Sequence, residues 1–237
     1  MNHDAMMERF FTSLISGDRP EARQVIDEMI DHDCDTGGII SELYWPVLDH
    51  IQTQYREDNL SELSYHYATR LMRLLADQMQ LRLEQKARRN RRVLMVCGDE
   101  AAEEIAAQLA ADLLEADGYE VFFVGGGVAH DEIVAEVGKL NCDVLTLFGA
   151  VPASAPMARR LIDHLHEVGV CPKLQIVVGG GVFNRADGLA EEIGADLWAG
   201  DPLELVQVMN ECPQRRMTGS QRTVGRKRRP ASRVAAA

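Results

Sequence analysis

From Val93 to Met209, short apolar runs alternate with stretches of helical period, and that alternation leaves few architectures open. The runs Val93–Val96, Glu120–Val124, Asp143–Leu147, Lys173–Val178 and Asp196–Trp198 have the length and composition of strands. Between them, Glu100–Ala116, Asp131–Leu140, Ala155–Val168 and Arg185–Ile193 read as helices, and Pro202–Met209 as a last one. Repeated strand–helix units impose right-handed crossovers and a parallel sheet covered on both faces. Ligands of such sheets sit beyond the carboxyl ends of the strands. Three runs meet glycine there: Cys97-Gly98, Val124-Gly125-Gly126-Gly127 and Val178-Gly179-Gly180-Gly181.

The chain before residue 90 is helical in period throughout. Asp4–Ile15 places Met7, Phe10, Phe11, Leu14 and Ile15 at helical spacing. Gly17-Asp18-Arg19-Pro20 is a break followed by a helix start, and Asp35-Thr36-Gly37-Gly38 breaks the chain again. Pro46 costs the third helix an internal hydrogen bond, so a kink or a helix start is expected near it. A fourth helix starts near Ser61, with Leu63, Tyr67, Leu71, Leu74, Leu75 and Met79 on one face. The expected organisation is a four-helix bundle over residues 1–90, a flavodoxin-like, doubly wound, five-stranded α/β domain over 91–212, and a disordered basic tail over 213–237.

Charge is unevenly placed. The tail holds eight of the 25 basic residues and none of the 37 acidic ones. The acidic body would repel nucleic acid, so any weak nucleic-acid contact falls to the tail, whose other reading is a solubilising appendage. No apolar run approaches the roughly 20 residues needed to cross a bilayer, and the N-terminus lacks a signal core. Five cysteines without paired spacing argue against a zinc cluster and for a reducing, cytoplasmic setting, with Cys97 and Cys142 as small buried hydrophobes.

Four helices followed by five strand–helix units with these glycines resemble the cobalamin-binding module. That module pairs a helical cap with a flavodoxin-like domain. It occurs in methionine synthase, corrinoid methyltransferase carriers, light-sensing cobalamin repressors and photosynthesis antirepressors. The likeness covers roughly Leu43 to Met209. The family's Asp-x-His-x-x-Gly, whose histidine displaces the cobalt's own lower base, here reads Asp99-Glu100-Ala101-Ala102-Glu103-Glu104. Asp99 remains, and Ala101 stands where the histidine belongs. Phe148 stands where a serine contacts the buried nucleotide tail, and could fill the slot that the tail occupies. The glycine turn beside the tail's path survives as Gly179-Gly180-Gly181. In the cap, the family's Trp, nine residues, then Glu-His becomes Tyr55 followed by Tyr65-His66.

The resemblance implies Tyr55, His66, Asp99, Gly179, Gly180, Gly181 and Phe183 as cofactor contacts. His66, and behind it His130, are the candidate metal donors, because imidazole is the commonest metal ligand among side chains. Each has a plainer reading. The glycines at 179–181 would serve a tight turn, Gly125–Gly127 a flexible loop, and both histidines an exposed helix surface. Acids at Asp99-Glu100 argue against a dinucleotide. The third strand ends without an aspartate, which argues against a phospho-receiver.

No nucleophile, base and orienter converge. The expectation is therefore a non-enzymatic sensory or regulatory protein. It would hold cobalamin or a related tetrapyrrole between cap and α/β domain, with a protein partner, no membrane, and homo-oligomerisation left open. The alternatives are a corrinoid carrier of a methyltransferase system and a ligand-free interaction module.

Overall fold

The computed structural model describes residues 3–149 and 151–217. The chain forms two compact units that part between Glu84 and Gln85.

The first unit is helical: α1 His3–Ser16, α2 Arg19–Asp31, α3 Thr36–Ile39, a π-helical turn Ile40–Tyr44, α4 Trp45–Arg56 and α5 Glu62–Gln80. Its starts are capped as the sequence suggests. Asp18 accepts from Glu21 N at 3.1 Å, and Ser61 accepts from Ser64 N at 3.1 Å. The predicted third helix is α3, the π turn and α4 in succession. Pro46, in the first turn of α4, has no N–H to give back, and the wider π turn before it absorbs the mismatch. The core holds Phe10, Leu14, Val25, Met29, Leu43, Ile51 and Met72, with Phe10 stacked on Tyr44 at 5.5 Å.

The buried face of α5 is turned from the expected one at its start. Leu71, Leu75 and Met79 are buried as expected, but Leu63 is 63% and Tyr67 46% exposed, and the buried face runs through Tyr65, Ala68, Met72, Leu75 and Met79. That set keeps the three-and-four spacing of one helix face. Tyr67 lies instead over Gly17, where a Cβ would stand 3.3 Å from its ring.

The second unit is the α/β domain. Its strands are β1 Arg92–Cys97, β2 Glu120–Gly125, β3 Val144–Phe148, β4 Gln175–Gly179 and β5 Leu197–Ala199. They lie all parallel in the order β2-β1-β3-β4-β5. Its helices are α6 Ala101–Ala116, α7 His130–Leu140, α8 Ser154–Val168, α9 Gly181–Arg185, α10 Leu189–Ile193 and α11 Pro202–Glu211. The one helix expected over Arg185–Ile193 is broken into α9 and α10, because Ala186 is extended and Gly188 takes φ +76°.

Strand alternation assigns the faces. Leu94, Val96, Leu145, Leu147, Ile176 and Val178 join one core with Ile133 and Val137 of α7 and Leu161, Ile162 and Leu165 of α8. The intervening residues Val93, Met95, Val144, Thr146 and Val177 point to the opposite face, where α6 packs on the sheet and α11 packs on α6.

Chain on either side of the sheet is tied to it. The connection before β1 is laced to the end of α6: Lys86 N donates to Ala116 O at 2.7 Å and Arg89 N to Gly118 O at 2.8 Å. Lys86 and Arg89 both pair with the buried Asp117. The start of the expected tail is likewise fixed. Gln175 Nε2 donates to Cys212 O and Arg215 O at 2.9 and 3.1 Å, and Met217 N donates to the buried Asp196. The rest of the tail, residues 218–237, lies outside the described residues.

Candidate functional site

The carboxyl ends of β1, β2 and β3 are knitted together by one buried carboxylate and one exposed one. Glu103, on the first turn of α6, is 1% exposed. It accepts from Glu100 N at 3.3 Å, Val151 N at 3.1 Å and Ser154 Oγ at 2.9 Å. It thereby closes a capping box and holds the chain after β3. Gly98 makes room for it, since a Cβ there would lie 2.0 Å from Glu103 Oε2. Asp99 accepts from Gly127 N at 2.5 Å and so ties the β1 turn to the β2 turn. The loop expected to be flexible at Gly125–Gly127 is a close approach instead. A Cβ on Gly126 would lie 2.5 Å from Gly98 O, and Gly125 and Gly127 take φ +83° and +74°.

Gly179-Gly180-Gly181 is held against the end of β3. Gly149 N donates to Gly179 O at 2.9 Å, and a Cβ on Gly180 would lie 2.3 Å from Gly149 O. Phe148, 3% exposed, sits beside Gly179 in register, with its ring 2.7 Å from where a Cβ would be. By alternation both residues direct their Cβ to the α6 face. Phe183 is 3% exposed within the core on the α7–α8 face, so packing accounts for it.

A cavity of about 340 Å³ opens at the same sheet edge on the α7–α8 face. Val96, Cys97, Leu147, Ile133, Leu161 and Ala158 contribute its walls, and His130 and Met157 also line it. It sits where the strand order reverses between β1 and β3, the position at which open α/β sheets bind ligands. His130 opens α7 half-buried, with no hydrogen bond to any described residue. Cys97 is half-exposed on the cavity wall rather than the buried hydrophobe expected, while Cys142 is buried and its thiol is pushed up to about 11 by desolvation.

In the helical unit, Tyr55 and Tyr65 stack at 4.0 Å with planes 12° apart, and His66 meets Tyr65 edge-on at 6.3 Å. His66 is exposed and lies 3.7 Å from Glu62. Thr69, one turn on, is buried and donates back to Tyr65 O at 2.9 Å. The structure thus brings together Tyr55 and His66 in one unit, and Asp99, His130 and the glycine turns in the other. Glu103 and Ser154 escaped sequence reasoning. The Glu100-x-x-Glu103 spacing is legible as a capping box, but its reach to Ser154 is a contact across 51 residues.

Two family models, both described as B12 binding domain, match residues 91–207 and residues 6–78. The chain belongs to the B12-binding family. Over 108 residues it is 27% identical to dimethylamine corrinoid protein 3 of Methanosarcina mazei, covering 46% of this chain and 64% of that one. It is also 27% identical to dimethylamine corrinoid protein 1 of Methanosarcina acetivorans, covering 50% of that protein. The chain thus spans about half to two-thirds of the length of the curated relatives it matches. The solved structure of Methanosarcina barkeri monomethylamine corrinoid protein aligns with 88% of this chain and 98% of its own at a TM-score of 0.76 and 16% identity, a likeness of fold.

The family sets the cofactor class, cobalamin or a related corrinoid. The residues present fit that group at the open cavity of the sheet edge. They do not fit the family's lower axial bond, because Ala101 has no lone pair to give a metal. Among the described residues, no helix is long and apolar enough to cross a membrane.

Proposed function

We propose that this chain is a corrinoid carrier, one that binds a cobalamin-type cofactor and presents it to a separate methyltransferase. The observation that carries this reading is the sequence match to dimethylamine corrinoid proteins over 108 residues. It favours the carrier over the sensory regulator expected from the sequence. The cavity at the strand-order reversal supports it from the geometry. The bound corrinoid would supply a cobalt centre able to carry a methyl group. The protein's own part is to hold it. The Asp99–Gly127 and Glu103–Ser154 ties keep the turns after β1, β2 and β3 in place, and His66 beside the Tyr55–Tyr65 stack is the proposed contact of the helical unit.

The test is reconstitution. Purified protein mixed with hydroxocobalamin and desalted should keep a corrin spectrum, and His66→Ala should weaken its retention. Methyl transfer to a thiol on addition of a partner methyltransferase should follow. A retained corrin that no methyltransferase accepts would return the sensory reading. Loss of all colour on desalting would overturn both. A ligand-free interaction module is the second reading, favoured by the Phe148 ring against Gly179, and colourless protein would support it.

A further inference from the structure

At the amino-terminal edge of the sheet, away from the glycine turns, two cysteines stand on neighbouring connections. Cys142 lies between α7 and β3, and Cys171 between α8 and β4. The strands they lead into pair directly, with Val144 beside Gln175. Asn141 ends α7 in the left-handed region, and the chain turns so that Cys142 N donates to Val137 O at 3.1 Å. Cys171 Sγ donates to that same carbonyl oxygen at 3.6 Å and lies 4.0 Å from Asn141 Oδ1. One oxygen thus gathers the backbone of one cysteine and the sulfur of the other. Both side chains also meet in one apolar cluster: Cys142 is 4% exposed within it, and Cys171 packs against it half-buried. Charge on Cys171 is the second cause, after burial, that pushes the Cys142 thiol up, so the two sulfurs are electrostatic neighbours.

The backbone of Cys171 takes φ +46°, a region that residues with a side chain seldom enter, and Pro172 follows it. Leu174 N, donating to Cys171 O at 2.8 Å, holds this turn. Glycine or asparagine would sit there with less strain, and strain of this kind points to a use for the side chain.

We propose that Cys142 and Cys171 form a thiol–disulfide exchange site, which a low-molecular-weight disulfide closes into an intramolecular cross-link. Rotation of the Cys171 side chain gives up its weak contact with Val137 O and turns the sulfur toward Cys142. The Cys171 thiolate, the more accessible of the two, attacks one sulfur of the small disulfide. A mixed disulfide forms and one small thiolate leaves. The Cys142 thiolate then attacks Cys171 Sγ, and the second small thiolate leaves. The two small thiolates take up the two protons that the cysteines lose. The protein is oxidised by two electrons and the small disulfide is reduced by two. Burial keeps the Cys142 thiol protonated, so ring closure is the slower step and the mixed disulfide precedes it. The closed form ties the turn after α7 to the loop before β4, and so fixes α7 to the sheet at the end remote from the cavity.

The experiment incubates the reduced full chain with glutathione disulfide, blocks remaining thiols by alkylation and maps the peptides by mass. A glutathione adduct on Cys171 should appear first. It should give way to a peptide pair joining residues 142 and 171, lighter by two hydrogen atoms than the reduced pair. The cross-link constrains the unfolded chain, so the urea midpoint of the α/β unit should rise by about 1 M and fall back on reduction. Cys171→Ser should abolish both the cross-link and the shift. Cys142→Ala should stop the reaction at the Cys171 adduct. Should Cys142→Ala not fold, Cys171→Ser, at the half-buried position, is read alone.

A Cys171 adduct that persists in wild type without closing would overturn the proposal. So would a cross-link to Cys34, Cys97 or Cys212 in place of this pair. A 142–171 cross-link that lowers the urea midpoint would show that the native fold does not hold the sulfurs within bonding reach, and would overturn it as well.

Discussion

The ring of Phe148 occupies the space that Gly179 leaves: a Cβ on that glycine would lie 2.7 Å from Phe148 Cε2, against an ordinary contact of 3.4–4 Å. The two residues sit side by side on adjacent strands. Gly179→Ala must therefore displace a buried ring, at a cost of about 1–3 kcal/mol for overpacking. Phe148→Ala leaves a cavity and should cost about 3–5 kcal/mol. In the double variant the new methyl enters the space vacated by the ring, so the combined loss should be smaller than the sum of the single losses by more than about 0.5 kcal/mol. Urea unfolding of the four proteins measures this, and strict additivity would refute the contact.

Glu103 joins three donors from two loops, and its removal should be felt at both. Glu103→Ala leaves Val151 N and Ser154 Oγ without their acceptor, and each lost charged hydrogen bond is worth about 1.5–3 kcal/mol. Glu103→Gln keeps an acceptor oxygen at the same reach and should recover part of that loss. Hydrogen exchange at Val151 should speed up in Glu103→Ala more than at Leu113 on the same helix. Unchanged exchange at Val151 would show that the loop does not depend on this carboxylate.

How much of this the sequence carried depends on the range of the interaction. Strands and helices of the α/β unit follow from local period, and their parallel order from the chirality of the crossovers. The caps at Asp18 and Ser61 are local chemistry and were legible. What was not legible couples distant residues. The turn of α5 that buries Tyr65 and exposes Leu63 depends on packing among helices, and both faces carry enough apolar residues to serve. The break at Gly188 lay inside an apparently continuous helical pattern. The tie of Asp99 to Gly127, which turns an apparently flexible glycine loop into a fixed one, spans 28 residues. Residues 213–217 carry no apolar period, yet Gln175 and Asp196 hold their backbone. Tyr55, His66, Asp99 and the glycine turns were named from resemblance, whereas the face on which the cavity opens required the fold.

Asp117 gives the α/β unit an acid-sensitive tie. Burial opposes its ionisation, but hydrogen bonds from Lys86 and Asn210 and the charges of Arg89 and Lys86 outweigh it and hold the carboxyl below its ordinary range. A depressed folded value stabilises the fold above the unfolded value of about 3.9, and that contribution is lost as pH falls through the folded one. Wild type should therefore exceed Asp117→Asn in stability at pH 7, and the gap should close on acidification. Lys86 is largely exposed, so added salt should narrow the gap at neutral pH. A gap that widens toward acid would contradict the assignment.

Position 101 allows the absent axial donor to be restored. Ala101 is the first residue of α6, two residues beyond Asp99, and corresponds to the histidine of the family signature. Ala101→His places an imidazole on a turn already fixed by the Asp99–Gly127 and Glu103–Val151 hydrogen bonds, so little rearrangement is required to present it. Protein made with 15N-histidine and loaded with Co(II) cobalamin should show histidine nitrogen coupling in the electron paramagnetic resonance spectrum of this variant and none in wild type. Coupling in wild type would mean that another histidine already serves, and its loss in His130→Ala or in His66→Ala would identify which. Absence of coupling in Ala101→His, with the corrin retained, would show that this turn does not lie beneath the cobalt and that the cofactor is seated elsewhere on the sheet edge.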